Sequence, residues 1–180
     1  SLKEFRRSLL LFINYFHSTD IRFYVYFTHI LFNMYALWVF GSVLERVWGP
    51  SRFLLYYIVV GVGAGLVQEA VQYLYYTTTL AQYIQVNLGG GLIVPMAEYL
   101  NLWTTVGASG AVYGILLAFA MTFPNESLFV IPFPFPIKAK YFVLMFGAVE
   151  LFTGLSNNAG DNVAHFAHLG GMIFGLFMIL

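Results

Sequence analysis

Long uncharged stretches separated by short polar breaks run the length of this chain. Tyr24 to Val43 predicts a first clear membrane span, interrupted by His29 and Asn33. Phe53 to about Tyr75 predicts a second, with Gly61, Gly63 and Gly65 along it and Glu69 towards its end. A third runs from about Gly107 to Phe123, a fourth from Tyr141 to about Leu155 with Glu150 inside it, and a fifth from about Val163 to Leu180. A helix needs roughly 20 apolar residues to cross about 30 Å of hydrocarbon, and these runs have that order of length. Proline falls inside none of them, as unbroken helices require. Leu9 to Phe16 is apolar apart from Asn14 but is too short to cross alone. The breaks differ in kind. Glu45 to Arg52 reads as a tight polar loop, and Thr77 to Leu102, with Gly89-Gly90-Gly91 and Pro95, as a long loop. Pro132, Pro134 and Pro136 make a stiff connection ending at Lys138 and Lys140, and Ser156 to Asn162 is polar.

Composition turns this pattern into a class. The chain is 60% hydrophobic and 9% charged, with a mean hydropathy of +0.78. A water-soluble domain carries about a quarter charged residues, so this chain cannot cover a water-facing surface. It is expected to be all-α, a polytopic integral membrane helical bundle. Net charge is zero and the eight basic residues form no stripe, which argues against nucleic acid as a partner. Cysteine is absent, so disulfides and thiolate metal sites are excluded. Lys3, Arg6 and Arg7 ahead of Leu9 to Ile13 look like the start of a signal peptide, but no small-residue cleavage site follows before Asp20. Residues 1–22 are therefore read as a truncated or atypical N-terminal segment of one domain over 1–180, with 24–180 as its core.

Charge placement orients the bundle. Cytoplasmic loops are rich in Lys and Arg. Arg46 and Arg52 follow the first clear span and Lys138 and Lys140 follow the third, whereas 77–102 and 156–162 hold neither residue type. This alternation puts Ser109, His165, His168 and His29 all towards the outer side.

Polar groups inside a membrane domain are costly and tend to mark function. Ser109, between glycines at the head of an apolar helix, is a candidate nucleophile; small residues there also serve close helix packing. His168 is the candidate general base and acid, since imidazole exchanges a proton near neutral pH. His29 and Asn33 are four residues apart and share one helical face. Both can donate to a developing oxyanion beside the Ser109 N–H. Gly110 with Gly114, and Gly171 with Gly175, make two small-residue steps that would let the serine and histidine helices approach. Tyr113, four residues after Ser109, could pack on the imidazole and orient it without a carboxylate. Asp161, Glu150 or Glu69 could complete a triad, although an interhelical hydrogen bond is the commoner use of a buried Glu. His165 is the rival to His168, and no metal-binding spacing such as HExxH is present, so neither a metal nor another cofactor is expected.

These residues resemble a known family. Gly107-Ala108-Ser109-Gly110 resembles the GxSG motif of rhomboid intramembrane serine proteases, His29-Ile30-Leu31-Phe32-Asn33 their HxxxN, and Ala167-His168-Leu169-Gly170-Gly171 with Gly175 their AHxxGxxxG. The likeness covers about residues 24–180. It implies a six-helix core, with the first helix truncated or incomplete here, and a catalytic dyad of Ser109 and His168. It also implies oxyanion donors in His29, Asn33 and Ser109, and supporting roles for Gly107, Ala108, Gly110 and Tyr113. Glu45 with Arg46 resembles the structural loop after the family's second helix. The family hydrolyses peptide bonds in or near transmembrane segments, so the expected partners are transmembrane protein substrates and the lipid bilayer. Entry would be sideways from lipid past the fourth clear span, 141–155, and its cap, with a small residue favoured before the cut. The expected location is a bacterial inner membrane, with the site opening to the extracytoplasmic side. The rival readings are a catalytically inactive relative that binds transmembrane helices, and a small transporter using Glu69, Glu150 and the histidines as a polar path.

Overall fold

The computed structural model describes residues 27–101, 108–129, 135–156 and 162–180. The segment 1–26, with the short apolar run Leu9 to Phe16, lies outside it, as do most of the polar residues between the last two spans and the middle of the proline-rich connection.

Helix α1 runs Phe27–Trp48 and contains a π-helical turn at Leu37–Gly41. Helix α2, Pro50–Leu80, follows after a single residue. The polar loop expected over Glu45 to Arg52 is therefore almost absent, and the helices continue through it. Gly49 alone makes the reversal, with φ +81° and ψ 157°, a backbone region closed to residues with a Cβ. Its N–H returns to the Glu45 carbonyl at 2.8 Å, and Pro50 opens α2 with a φ already suited to a helix. Glu45 and Arg46 can be solvated from the end of a helix, so their polarity does not require the chain to leave it.

The stretch after α2, expected as a long loop, holds a short hairpin and a short helix. Strands β1 (Gln85–Asn87) and β2 (Ile93–Pro95) pair antiparallel around Gly89, Gly90 and Gly91, all at positive φ, and α3 spans Met96–Asn101. Helix α4 is Ser109–Thr122. A two-residue ladder, β3 (Ser127–Leu128) with β4 (Ile137–Lys138), closes the connection to α5, Ala139–Leu155, and α6 covers Asn162–Ile179. Lys140 at the start of α5 bonds Asn125 Oδ1 at 3.0 Å and sits 5.2 Å over the Tyr141 ring.

Helices α1 and α2 are long and apolar enough to cross a membrane. Helix α4 is not: its 14 residues rise about 21 Å. It is the central helix, buried at Ser109–Val112, Gly114–Leu116 and Ala118–Ala120, with α6 packed against both it and α2. A helix surrounded by protein need not match the bilayer thickness, so its head can lie below the surface. Around it, Leu54, Ile58, Val62 and Leu66 of α2, Leu144 and Phe152 of α5 and Phe177 of α6 are exposed. Such a belt would aggregate in water and is solvated by lipid chains.

The apolar core occupies the end of the bundle near the Gly49 reversal. Leu44, Tyr56, Val60, Ile115, Phe119, Ala139, Phe142 and Val143 close it. The Phe40 and Phe119 rings meet edge to face at 4.9 Å, fastening α1 to α4. Tyr56 is buried in the same region and donates to the Gly114 carbonyl at 2.7 Å. A helix-interior carbonyl that already serves its own helix accepts this second bond on its free lone pair.

Candidate active site

The opposite end of the same helices is polar. What brings it together is the near contact of two glycine faces. A methyl group on Gly171 of α6 would overlap the Gly110 carbonyl of α4, and one on Gly175 would lie 3.3 Å from the Gly114 Cα. The two backbones therefore touch, as small-residue steps allow between membrane helices.

That approach sets Ser109 against His168. Ser109 Oγ lies 3.0 Å from His168 Nε2, and both residues are largely buried. Ser109 is the first residue of α4, preceded by Ala108, whose carbonyl accepts the Val112 N–H at 3.0 Å. No side-chain cap occupies this helix start among the described residues. The Tyr113 ring stacks on the imidazole at 4.2 Å, with the planes 8° from parallel.

A third group reaches the same imidazole. Glu150 of α5 is buried, and its Oε2 lies 3.0 Å from His168 Nδ1. That contact is close enough for charge attraction but off the line of a hydrogen bond. The in-line position belongs to His165, whose Nδ1 meets the same oxygen at 2.5 Å. The Tyr113 hydroxyl donates to the other oxygen, Oε1. The tautomers follow from this network. If Nε2 of His168 accepts the Ser109 proton, its Nδ1 carries hydrogen towards Glu150. Ligand atoms of Glu150, His165 and His168 gather within 4.8 Å, a grouping with the composition of a metal site. At 2.5 Å His165 Nδ1 and Glu150 Oε2 nevertheless meet directly as a hydrogen-bonded pair. Two ligands on a tetrahedral zinc would stand about 3.3 Å apart.

His29 and Asn33 lie on α1, the first exposed and the second half-buried. Asn33 Nδ2 donates to the His29 carbonyl at 2.7 Å, and no side-chain hydrogen bond joins either residue to Ser109 or His168 among the described residues. Gly107 lies outside the described residues, and so does Asp161.

Sequence reasoning kept Glu150 only as one of three acids that could complete a triad, with an interhelical hydrogen bond as its commoner use. The signal was present: an acid in the middle of a span must be paired, and the interior of its own span offers no cation. It missed Gln68 of α2, fully buried with neither amide atom hydrogen-bonded among the described residues. Ala64, one turn earlier on α2, stands against Gly110. Gln68 thus continues the polar end of the bundle onto a fourth helix.

Apolar helices packed around a buried serine, histidine and carboxylate define an integral membrane bundle with a polar site between its helices. A rhomboid domain matches residues 15–180, and the chain belongs to the rhomboid family. It is similar to rhomboid protease AarA of Providencia stuartii, with 31% identity over 159 residues that cover 82% of this chain and 48% of that protein. It resembles rhomboid protease GluP of Bacillus subtilis at 26% identity over 160 residues, 88% of this chain and 24% of that one. Presenilin-associated rhomboid-like protein A, mitochondrial, of Danio rerio is 27% identical over 158 residues, 84% of this chain and 33% of that protein. The chain thus spans about half the length of AarA and less of the other two. No solved structure matches it.

Proposed function

We propose that the protein is an intramembrane serine endopeptidase that cleaves peptide bonds in or beside transmembrane segments. The observation that carries this reading is the 3.0 Å contact of Ser109 Oγ with His168 Nε2, between two helices that meet at glycine. Ser109 Oγ attacks the substrate carbonyl carbon while its proton passes to His168 Nε2. The Ser109 N–H, at the positive end of α4, and the side chains of His29 and Asn33 receive the oxyanion. Collapse of the tetrahedral intermediate breaks the C–N bond, and His168 returns its proton to the leaving amine. Water then attacks the acyl-enzyme with His168 as base and releases the acid and free Ser109. Gly110 lets α2 and α6 close on α4 beside the serine, Gly107 and Ala108 are assigned supporting roles with it, and Tyr113 holds the imidazole by stacking.

The names of AarA and GluP as rhomboid proteases support this reading. Substrate helices enter from lipid past α5, and the bilayer and those helices are the partners. The Lys and Arg alternation supports a bacterial inner membrane, with the site open to the extracytoplasmic side. The test is Ser109→Ala. The purified, folded protein should be labelled by a fluorophosphonate and cut a transmembrane reporter, and the variant should do neither while unfolding at the same temperature. Labelling retained in Ser109→Ala would remove Ser109 as nucleophile. An intact protein that neither labels nor cleaves would favour a helix-binding relative without activity.

A further inference from the structure

We infer that Glu150 is a positioning residue for His168, so that the serine and histidine act with a carboxylate supplied by α5. This rests on the protease reading above. Three groups restrain the His168 ring, and all of them lead to one carboxylate. Glu150 Oε2 faces Nδ1 at 3.0 Å. Tyr113 covers the ring face at 4.2 Å and donates its hydroxyl to Glu150 Oε1. His165, whose ring meets that of His168 edge-on at 6.4 Å, holds Oε2 at 2.5 Å. The carboxylate thus sits at the junction of α4, α5 and α6, behind the nitrogen that Ser109 does not use.

The chemistry follows from the donor count. A carboxylate has about four acceptor positions, and here it meets one hydroxyl and two ring nitrogens. A negative charge behind Nδ1 favours the tautomer with hydrogen there, which leaves Nε2 as the acceptor facing Ser109. It also stabilises the imidazolium that forms when Ser109 gives up its proton, and that charge exists only after the attack begins. The effect therefore belongs to the transition state and not to substrate binding. His165 and Tyr113 fix where the carboxylate stands; neither needs to exchange a proton.

The competing role is a strut, in which Glu150 merely ties α5 to α6 and α4 through hydrogen bonds. An amide of the same shape separates the two. Glu150→Gln keeps the side-chain length and shape but removes the charge and turns one acceptor oxygen into an N–H donor. The measurement is steady-state cleavage of a transmembrane reporter in detergent or liposomes. The expected result is a kcat lowered by roughly tenfold or more with KM within about twofold. Glu150→Asp, which keeps the charge one methylene further back, should retain more kcat than Glu150→Gln. If Glu150→Gln does not fold, Glu150→Asp and Glu150→Asn give the same charge comparison at one shared length, with the acid the faster. Equal kcat for acid and amide of one shape would overturn the proposal, as would a loss carried wholly by KM. Active-site labelling of the parent protein keeps the two readings apart. If the parent is not labelled, the protease reading fails. If the parent is labelled and Glu150→Gln turns over at the parent rate, only the carboxylate's role fails.

Discussion

The Ser109–Tyr113 stretch of α4 and the Ile115–Ala120 stretch that follows are both largely buried and chemically opposite. Ile115, Ala118 and Phe119 in the second stretch pack against Val60, Phe40 and other apolar groups. Ser109 and Tyr113 in the first stretch pack against His168 and Glu150. One helix therefore carries a packed core at one end and a polar site at the other, and burial by itself distinguishes neither. The difference lies in how each end meets its cost. The apolar half gains from filled volume. The polar half must satisfy its own groups, and it does so in part, through a network across α4, α5 and α6. Removing atoms from the first half should cost stability, and removing atoms from the second should cost chemistry.

The contact that both halves share should show the largest effect. In Gly171→Ala the new methyl would overlap the Gly110 carbonyl, a backbone atom that cannot swing aside. Helices α4 and α6 must separate, which opens the core and pulls His168 from Ser109 together. The expected loss is at least about 3 kcal/mol, beyond the usual cost of overpacking by one methylene because the obstruction is main chain. Thermal unfolding in detergent and fluorophosphonate labelling should fall together. A variant as stable as the parent would mean that the two helices do not depend on this contact.

Ile115→Ala should separate the halves. Ile115 is fully buried in the apolar end, so the change leaves a cavity of about three carbons. In soluble cores such a change costs about 2–5 kcal/mol. In a bilayer the transfer part is weaker, because lipid tails are as apolar as the core, and the lost packing remains. About 2 kcal/mol is expected, read as a lower unfolding temperature, with the rate of serine labelling unchanged below it. A labelling rate that fell as much as the stability would show the two ends to be coupled.

The same division explains what could be read without coordinates. The order of the spans, the absence of proline within them and the two glycine steps are local features, and they lead to a bundle in which Ser109 and His168 face each other. The small size of the Gly49 reversal was not legible, because Glu45 and Arg46 look like loop residues and are solvated equally well from a helix end. The position of Glu150 was not legible either. Its contact with His165 depends on the relative height of α5 and α6, which the spacing within either helix does not give. Sequence spacing fixes which face of a helix a residue occupies, but it does not fix the register of one helix against the next. His29 and Asn33 illustrate the converse: their shared face could be read from the i, i+4 spacing, yet what that face addresses depends on how α1 sits against α4.

The smallest change sharpens the comparison most. Tyr113→Phe removes the hydroxyl that Glu150 Oε1 accepts and leaves the ring that stacks on His168 at 4.2 Å. Losing one hydrogen bond to a buried carboxylate should cost about 1–2 kcal/mol, since the other oxygen keeps both of its histidine contacts. Turnover should fall by only a few fold, because the imidazole keeps its ring partner and loses one of the ties on the carboxylate behind it. Tyr113→Leu, which removes the stack as well, should slow turnover further while adding little to the loss of stability. If the polar end were a structural clamp, Tyr113→Phe would instead destabilise the protein as much as Ile115→Ala and leave turnover unchanged. Unfolding temperature and kcat measured on the same preparations distinguish a network built to place the imidazole from one built to hold three helices together.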